Sequence, residues 1–302
     1  MPDVAVAQPP ARRAPRRAQT RSAFGLLLPT LIVLGLVIGY PLALAVNLSL
    51  FSDPIAGVPR FVGPDNYTRA LWGADAGRFW SAAATTGGFT LVVVTLELTV
   101  GMALALFMQQ LKRGRAFARV CVLVPWAVPT AVATVLWQWM FSTDGVINAL
   151  TGQEILWTGA EGPARTAVVV IDVWKTAPFV ALLLLAGLQL IPGEVYEAAK
   201  VDGAGAWRRF TRITLPMLAP AVTVAVLFRV LDALRMYDVP AILTNGANGT
   251  TTLSLLTQQL AIGQVRVGYG SALSTLTFLL IFLVALAFIK ATGARIVDKE
   301  GT

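Results

Sequence analysis

Glu197-Ala-Ala-Lys-Val-Asp-Gly203, followed nine residues later by Ile213-Thr-Leu215-Pro216, is the stretch whose reading decides the fold of this chain. It is a polar, basic segment wedged between two long apolar runs. Pro192 and Gly193 close the run before it, and 194–201 reads as two turns of helix. Gly203 falls where a helix C-terminus commonly takes a left-handed backbone, which glycine adopts without steric penalty. Residues 206–212 are expected to form a second short helix. Pro216 then falls in the first turn of the next apolar run, where proline is best tolerated. Ala198, Ala199, Ala204 and Ala206 leave room for a partner surface, with Glu197 as a buried or semi-buried anchor for it. The bland alternative is a solvated loop whose arginines only follow membrane topology.

The rest of the chain is lipid-like in composition. Apolar residues make up 56% and charged residues 13% of the 302, with mean hydropathy +0.69. A soluble domain carries about 25% charged residues. Six stretches are long enough for a spanning helix, which needs roughly 20 mostly apolar residues; they are 24–47, 85–108, 118–141, 167–191, 215–234 and 273–289. The expectation is an all-α membrane protein: a disordered basic tail over 1–22, one transmembrane domain over 23–292 with the polar loop at 193–212, and a short tail at 293–302. The apolar core of the first span exceeds the 7–15 residues of a signal peptide, so it reads as an uncleaved anchor.

The net charge of +8 is distributed as topology. Both tails, the loop between the second and third spans and the motif loop carry sixteen Lys and Arg; the loops of the other side carry six. That bias places both termini and the motif loop in the cytoplasm. It argues against a nucleic-acid footprint. One cysteine (Cys121, read as a small packing residue) and no histidine exclude an internal disulfide, a His-based metal site and a His general base. Prolines at 29, 41, 125, 129, 178, 216 and 220 imply kinked spans. Gly87, Gly88, Gly101, Ala103 and Ala105 would let helices approach closely, and Trp126, Trp137, Trp139 and Trp157 fit an aromatic belt at span ends. Asp53-Pro54 and Gly63-Pro64 signal turns in the first external loop, and Asn245-Gly246…Asn248-Gly249 marks a tight turn after the fifth span.

Two polar stripes lie inside spans. Asp172, Lys175, Thr176 and Phe179 share one face of the fourth, and Arg229, Asp232, Ala233 and Met236 one face of the fifth. Each intramembrane charge costs roughly 2.5–3.5 kcal/mol even on a lenient insertion scale, so four of them mark a bundle interior or an aqueous cavity. Asp172 and Asp232 offset Lys175 and Arg229, which suits a neutral, hydroxyl-rich solute, with Phe179 and Tyr237 offering ring faces. Equally open is a structural reading in which Asp172–Lys175 and Arg229–Asp232 neutralise each other as i, i+3 pairs. Glu97, alone in the second span, reads as a structural hydrogen-bonding residue.

The complete spaced motif resembles that of ABC-importer permeases, and Asp202-Gly-Ala204 with Ile213-Thr-Leu-Pro216 is similar to the maltose-type branch of the carbohydrate importers. Phe61-Val-Gly63…Asn66-Tyr67, Phe79-Trp80 and Asp144-Gly145…Asn148 carry the resemblance through the external loops. It implies the type I permease fold, a bacterial plasma (inner) membrane location, and assembly with a second permease, two ATPase subunits and an external solute-binding protein. ATP and Mg would be held by those ATPases, with no cofactor in this chain. Glu197, Ala198, Ala199, Asp202, Gly203 and Ala204 would couple ATPase closure to the membrane helices. In the maltose permease, sugar contacts come from the corresponding faces of the two striped helices, through amide and aromatic side chains where this chain has charges. Trp174-Lys175-Thr176-x-Pro178-Phe179 and Leu231-Asp232-Ala233-x-Arg235 are similar to segments of actinobacterial trehalose permeases, and such patterns occur in permeases for other di- and oligosaccharides.

Three function classes compete. No Gly-x-x-x-x-Gly-Lys-Ser/Thr loop is present, so the chain does not hydrolyse ATP itself. A membrane enzyme lacks a supporting nucleophile or His constellation. A stand-alone secondary transporter or channel would not need the docking motif, and many such transporters show repeats that are absent here. The translocation subunit of a sugar importer is the reading the motif favours.

Overall fold

The computed structural model describes residues 26–53, 58–111 and 113–300, without side-chain detail at 115 and 293–300. The expected tail at 1–22 and Pro54 of the first turn lie outside the described residues. In hydrocarbon every backbone N–H and C=O must be satisfied within its own segment, so runs this apolar coil into helix. In chain order the helices are α1 (Leu26–Leu48), α2 (Asp65–Leu71), α3 (Ala76–Gln110), α4 (Arg115–Ala127), α5 (Thr130–Met140) and α6 (Val146–Thr151). There follow α7 (Glu161–Gln189), α8 (Gly193–Val201), α9 (Ala206–Ala233), α10 (Asp238–Thr244), α11 (Leu253–Gln258) and α12 (Val267–Glu300).

Among the described residues α1, α3, α7, α9 and α12 are each long and apolar enough to cross a membrane. The third expected span, 118–141, is not a straight crossing: α4 and α5 meet at 88° and make a sixth crossing only if taken as one broken span. The cause is Pro129, whose ring drives the preceding Val128 into extended backbone at ψ 131°. The separate helix expected at 206–212 is also corrected. Pro216 offers no N–H to the preceding turn, but Phe210–Thr214 widens into a π-turn in which Leu215 N–H reaches back to the Phe210 carbonyl. The helix therefore passes the proline unbroken, and 206–212 forms the first turns of α9.

α3 and α7 pack along much of their length, and α9 closes against both. The close approach is made by Gly101, where an added Cβ would lie 2.8 Å from Val180 Cγ1, and by Gly187, 2.6 Å from Ala221 Cβ. Gly87 and Gly88 meet nothing within 4 Å, so they do not serve the helix contact expected of them. Gly101→Val overfills that contact and is expected to cost about 1–3 kcal/mol; Gly88→Ala, with open space around it in a helix, should be stabilising by up to about 1 kcal/mol. Thermal unfolding of the two variants in detergent checks the contrast.

Two apolar layers fill the bundle. One is built from Phe89, Val93, Ile171, Met236 and Val239 among others, the second from Ala105, Val180, Leu184, Leu188, Leu218 and Ala225. Trp137 and Trp157 pack against the first layer, while Trp139 is exposed. Cys121 is exposed on α4, not packed within the chain. A third cluster joins α2, α3, α11 and α12 around Tyr269, and Asp53 fixes the start of α12 by accepting from the Gly268 and Tyr269 N–H groups at 2.5 and 2.9 Å.

Candidate functional site

Between the two apolar layers lies a polar one. Glu97 projects from α3, Asp172 and Thr176 from α7, and Arg229 and Asp232 from α9. Arg229 holds them together. Its Nε donates to Glu97 Oε2 at 2.6 Å and its Nη2 to Glu97 Oε1 at 2.7 Å, a two-pronged pairing that fits the planar guanidinium. Nη2 also reaches Asp172 Oδ2 at 3.1 Å, and Nη1 donates to Asp232 Oδ2. The Thr176 hydroxyl donates to Glu97 Oε1. Glu97 is 0% and Arg229 3% exposed.

This arrangement corrects the charge balance read from the stripes. Lys175 forms no ion pair with Asp172 among the described residues; Asp172 turns to Arg229 on the neighbouring helix. Glu97 is hydrogen-bonded, as expected, but it is not alone: it anchors both stripes to α3. Three carboxylates thus share one guanidinium. The Arg229–Asp232 pair does form at i, i+3. It is not a self-contained neutral pair, because the same guanidinium is spent on two other helices.

The side chains grade from core to cavity: Glu97 is sealed, the Asp172 side chain 13% exposed and that of Asp232 70% exposed. The cavity measures 420 Å³ and is lined by every residue of the two stripes: Asp172, Lys175, Thr176 and Phe179 with Arg229, Asp232, Ala233 and Met236. Tyr237 also lines it. Met236 lies beyond the last turn of α9, yet stays on the cavity because the Thr252 hydroxyl donates to its carbonyl at 2.8 Å. Phe179 stacks on Trp126 with centroids 5.7 Å apart at 17°.

Sequence reasoning missed Trp126, Thr130, Phe228, Arg235, Asp238 and Val239 on this wall. Trp126 and Thr130 flank the Pro129 break, and that proline was the available signal: a broken helix turns its ends toward a neighbour. Arg235 and Asp238 fall just past the fifth expected span, which ends at 234, so no helical face pointed to them.

The motif segment folds as a separate surface feature. α8 ends in a left-handed cap: Gly203 has φ +73°, its N–H reaches the Lys200 carbonyl at 3.0 Å, and the Ala204 N–H reaches the Ala199 carbonyl at 2.8 Å. Glu197, Ala198, Asp202 and Gly203 are exposed, and Ala199 and Ala204 half-buried. Tyr196 Oη and Thr214 Oγ1 lie 3.0 Å apart, tying α8 to the π-turn of α9. Exposed Val201 and Trp207 flank the segment.

A family model described as the binding-protein-dependent transport system inner membrane component matches residues 97–298, which span this cavity and the motif segment. The chain belongs to that family. This inner-membrane component, a multi-pass transport protein, is 40% identical over 287 residues to the trehalose transport system permease protein SugA of Mycobacterium tuberculosis, covering 94% of this chain and 92% of that protein. It is 38% identical over 287 residues to the trehalose/maltose transport system permease protein MalF of Thermococcus litoralis, covering 92% and 95%. Its fold is that of a chain from a bacterial ABC transporter involved in the import of the acidic polysaccharide alginate (TM-score 0.78, 21% identity, 93% of this chain and 98% of that one).

Proposed function

We propose that this inner-membrane component is the translocation subunit of an ATP-driven importer for a neutral di- or oligosaccharide, with trehalose or a maltose-like sugar as the leading cargo. One observation carries the reading: an exposed, capped helix, α8, joins directly the two helices whose stripes line the polar cavity. The relatives named for trehalose and maltose transport support the class of solute. In this reading both termini and α8 face the cytoplasm. One of two ATPase subunits grips Glu197, Ala198, Ala199, Asp202, Gly203 and Ala204, a second permease completes the path, and an external binding protein delivers the sugar. ATP and Mg stay on the ATPases.

The chemistry of passage follows from the graded cluster. Carboxylate oxygens accept hydrogen bonds from sugar hydroxyls, while Lys175 donates to them, and the rings of Phe179 and Tyr237 offer apolar faces to the sugar's C–H surfaces. Arg229 presents Asp232 to the cavity rather than contacting the sugar itself. Loss of one charge-assisted hydrogen bond costs about 1.5–3 kcal/mol, so Asp232→Asn is expected to cut uptake roughly 10- to 150-fold with assembly intact. Unchanged uptake would make the stripes structural.

The deciding experiment is ATPase stimulation of the reconstituted complex by its binding protein across a panel of disaccharides. Stimulation by none of them would remove the sugar reading. The stand-alone channel or secondary transporter makes the opposite forecast for the isolated chain in liposomes: it requires solute uptake there, whereas a translocation subunit gives none.

A further inference from the structure

A second pocket, remote from the sugar cavity, opens where the end of α3 meets α8 and the start of α9. It measures 860 Å³, and among its lining residues are Leu106, Tyr196, Lys200, Trp207, Arg209 and Phe210. Among the described residues its lining holds two cations and no carboxylate. Neither Lys200 nor Arg209 takes part in an ion pair among the described residues, so no carboxylate there offsets their charge. Trp207 is 76% exposed and leans on Phe210 with centroids 5.9 Å apart.

The level of the groove is as informative as its lining. The long apolar run of α3 ends at Gln109-Gln110, and that of α9 begins at Ile213. The groove therefore lies where two crossing helices leave hydrocarbon, the depth at which Trp side chains settle at a bilayer surface. Leu106 and Phe210 give it an apolar floor on the membrane side, and Lys200 and Arg209 add the charge. Apolar on one side, cationic on the other and aromatic between, the groove has the polarity profile of a phospholipid in reverse sign.

We propose that this groove binds the headgroup of an anionic phospholipid, its phosphate between Lys200 and Arg209 and an acyl chain along Leu106 and Phe210. A basic residue close to an anionic bilayer surface strengthens binding by about fivefold. Two of them give a preference over zwitterionic lipid of roughly 25-fold at most. Because Lys200 belongs to α8, a bound lipid would brace that helix from the side facing the membrane. Lipid binding here is read without a transport assay, and it requires that any ATPase docked on α8 leave the groove open.

The test uses the full chain in nanodiscs in which brominated phosphatidylglycerol or brominated phosphatidylcholine is titrated over the same range of mole fractions. Subtracting the tryptophan fluorescence of Trp207→Phe isolates the Trp207 signal. Brominated phosphatidylglycerol is expected to half-quench that signal at a mole fraction at least about fivefold lower than brominated phosphatidylcholine. Lys200→Gln with Arg209→Gln should erase the difference. Equal quenching by the two lipids overturns the proposal, and so does a preference that survives the double variant. Displacement by millimolar inorganic phosphate would assign the groove to a free anion, and loss of quenching on adding partner ATPase subunits would assign it to a protein surface; either result overturns it. Should the double variant fail to fold, the comparison of the two lipids on the unaltered chain decides alone.

Discussion

Arg229→Ala is expected to destabilise the folded chain by about 3–5 kcal/mol, the range for removing one partner of a buried ion pair, and to abolish uptake. The guanidinium makes four hydrogen bonds to carboxylates on three helices. Its removal leaves Glu97, which is 0% exposed, as an uncompensated charge against apolar layers on both sides. The loss is then dominated by the stranded carboxylate rather than by the pair's own attraction. Glu97→Gln in the same background should recover part of it, with a coupling of about 0.5–3 kcal/mol in a double-mutant cycle. Thermal unfolding of the four proteins measures this. A variant as stable as the parent would show that the cluster does not hold the helices. Asp232→Asn should behave differently: that side chain faces the cavity, so uptake falls without the stability loss.

Gly203→Val is expected to lower uptake by roughly tenfold or more, equivalent to at least 1.4 kcal/mol in the coupled step, while the chain still inserts. The φ of +73° at this position is costly for any side chain, by about 1–2 kcal/mol, and worst for a β-branched one. The cap would relax toward right-handed backbone and re-aim the entry to α9. If Glu197-Ala-Ala is where an ATPase grips, ATP hydrolysis by the assembled complex should continue without transport in both Gly203→Val and Glu197→Ala. Normal uptake in both variants would refute the docking role. Membrane fractionation of each variant separates uncoupling from failure to insert.

The long helices were legible in the sequence because lipid imposes one rule on every residue of a span, and apolar length alone then reveals it. Gly203 was legible for a comparable reason: a left-handed cap has few acceptable residues. Less visible was the partnership of Glu97, which lies 132 positions from Arg229. Helical periodicity links residues within one segment and says nothing of which segment faces it. Both charged stripes were therefore found, yet their balance was misjudged, since Asp172 pairs across helices instead of with Lys175 three positions on. The break at Pro129 was misread for the opposite reason. Proline inside a span is compatible with a mild kink or a sharp bend, and the residue pattern alone does not distinguish the 88° turn, which is accompanied by packing of α5 against α10.

The π-turn in α9 carries one more consequence. A π-turn holds an extra residue relative to regular α-helix, and at 3.6 residues per turn one residue is about 100° of rotation. Phe210–Thr214 thus sets the angular phase between the motif segment and everything beyond Leu215. Straightening that turn into regular helix without removing a residue would swing Arg229 about 100° away from Glu97, whereas deleting one residue there would let the helix become regular with Arg229 still in place. The distance from Gly203 to Pro216 is accordingly a rotational setting as much as a spacing, because the widened turn takes up the one residue that would otherwise carry Arg229 past its partner.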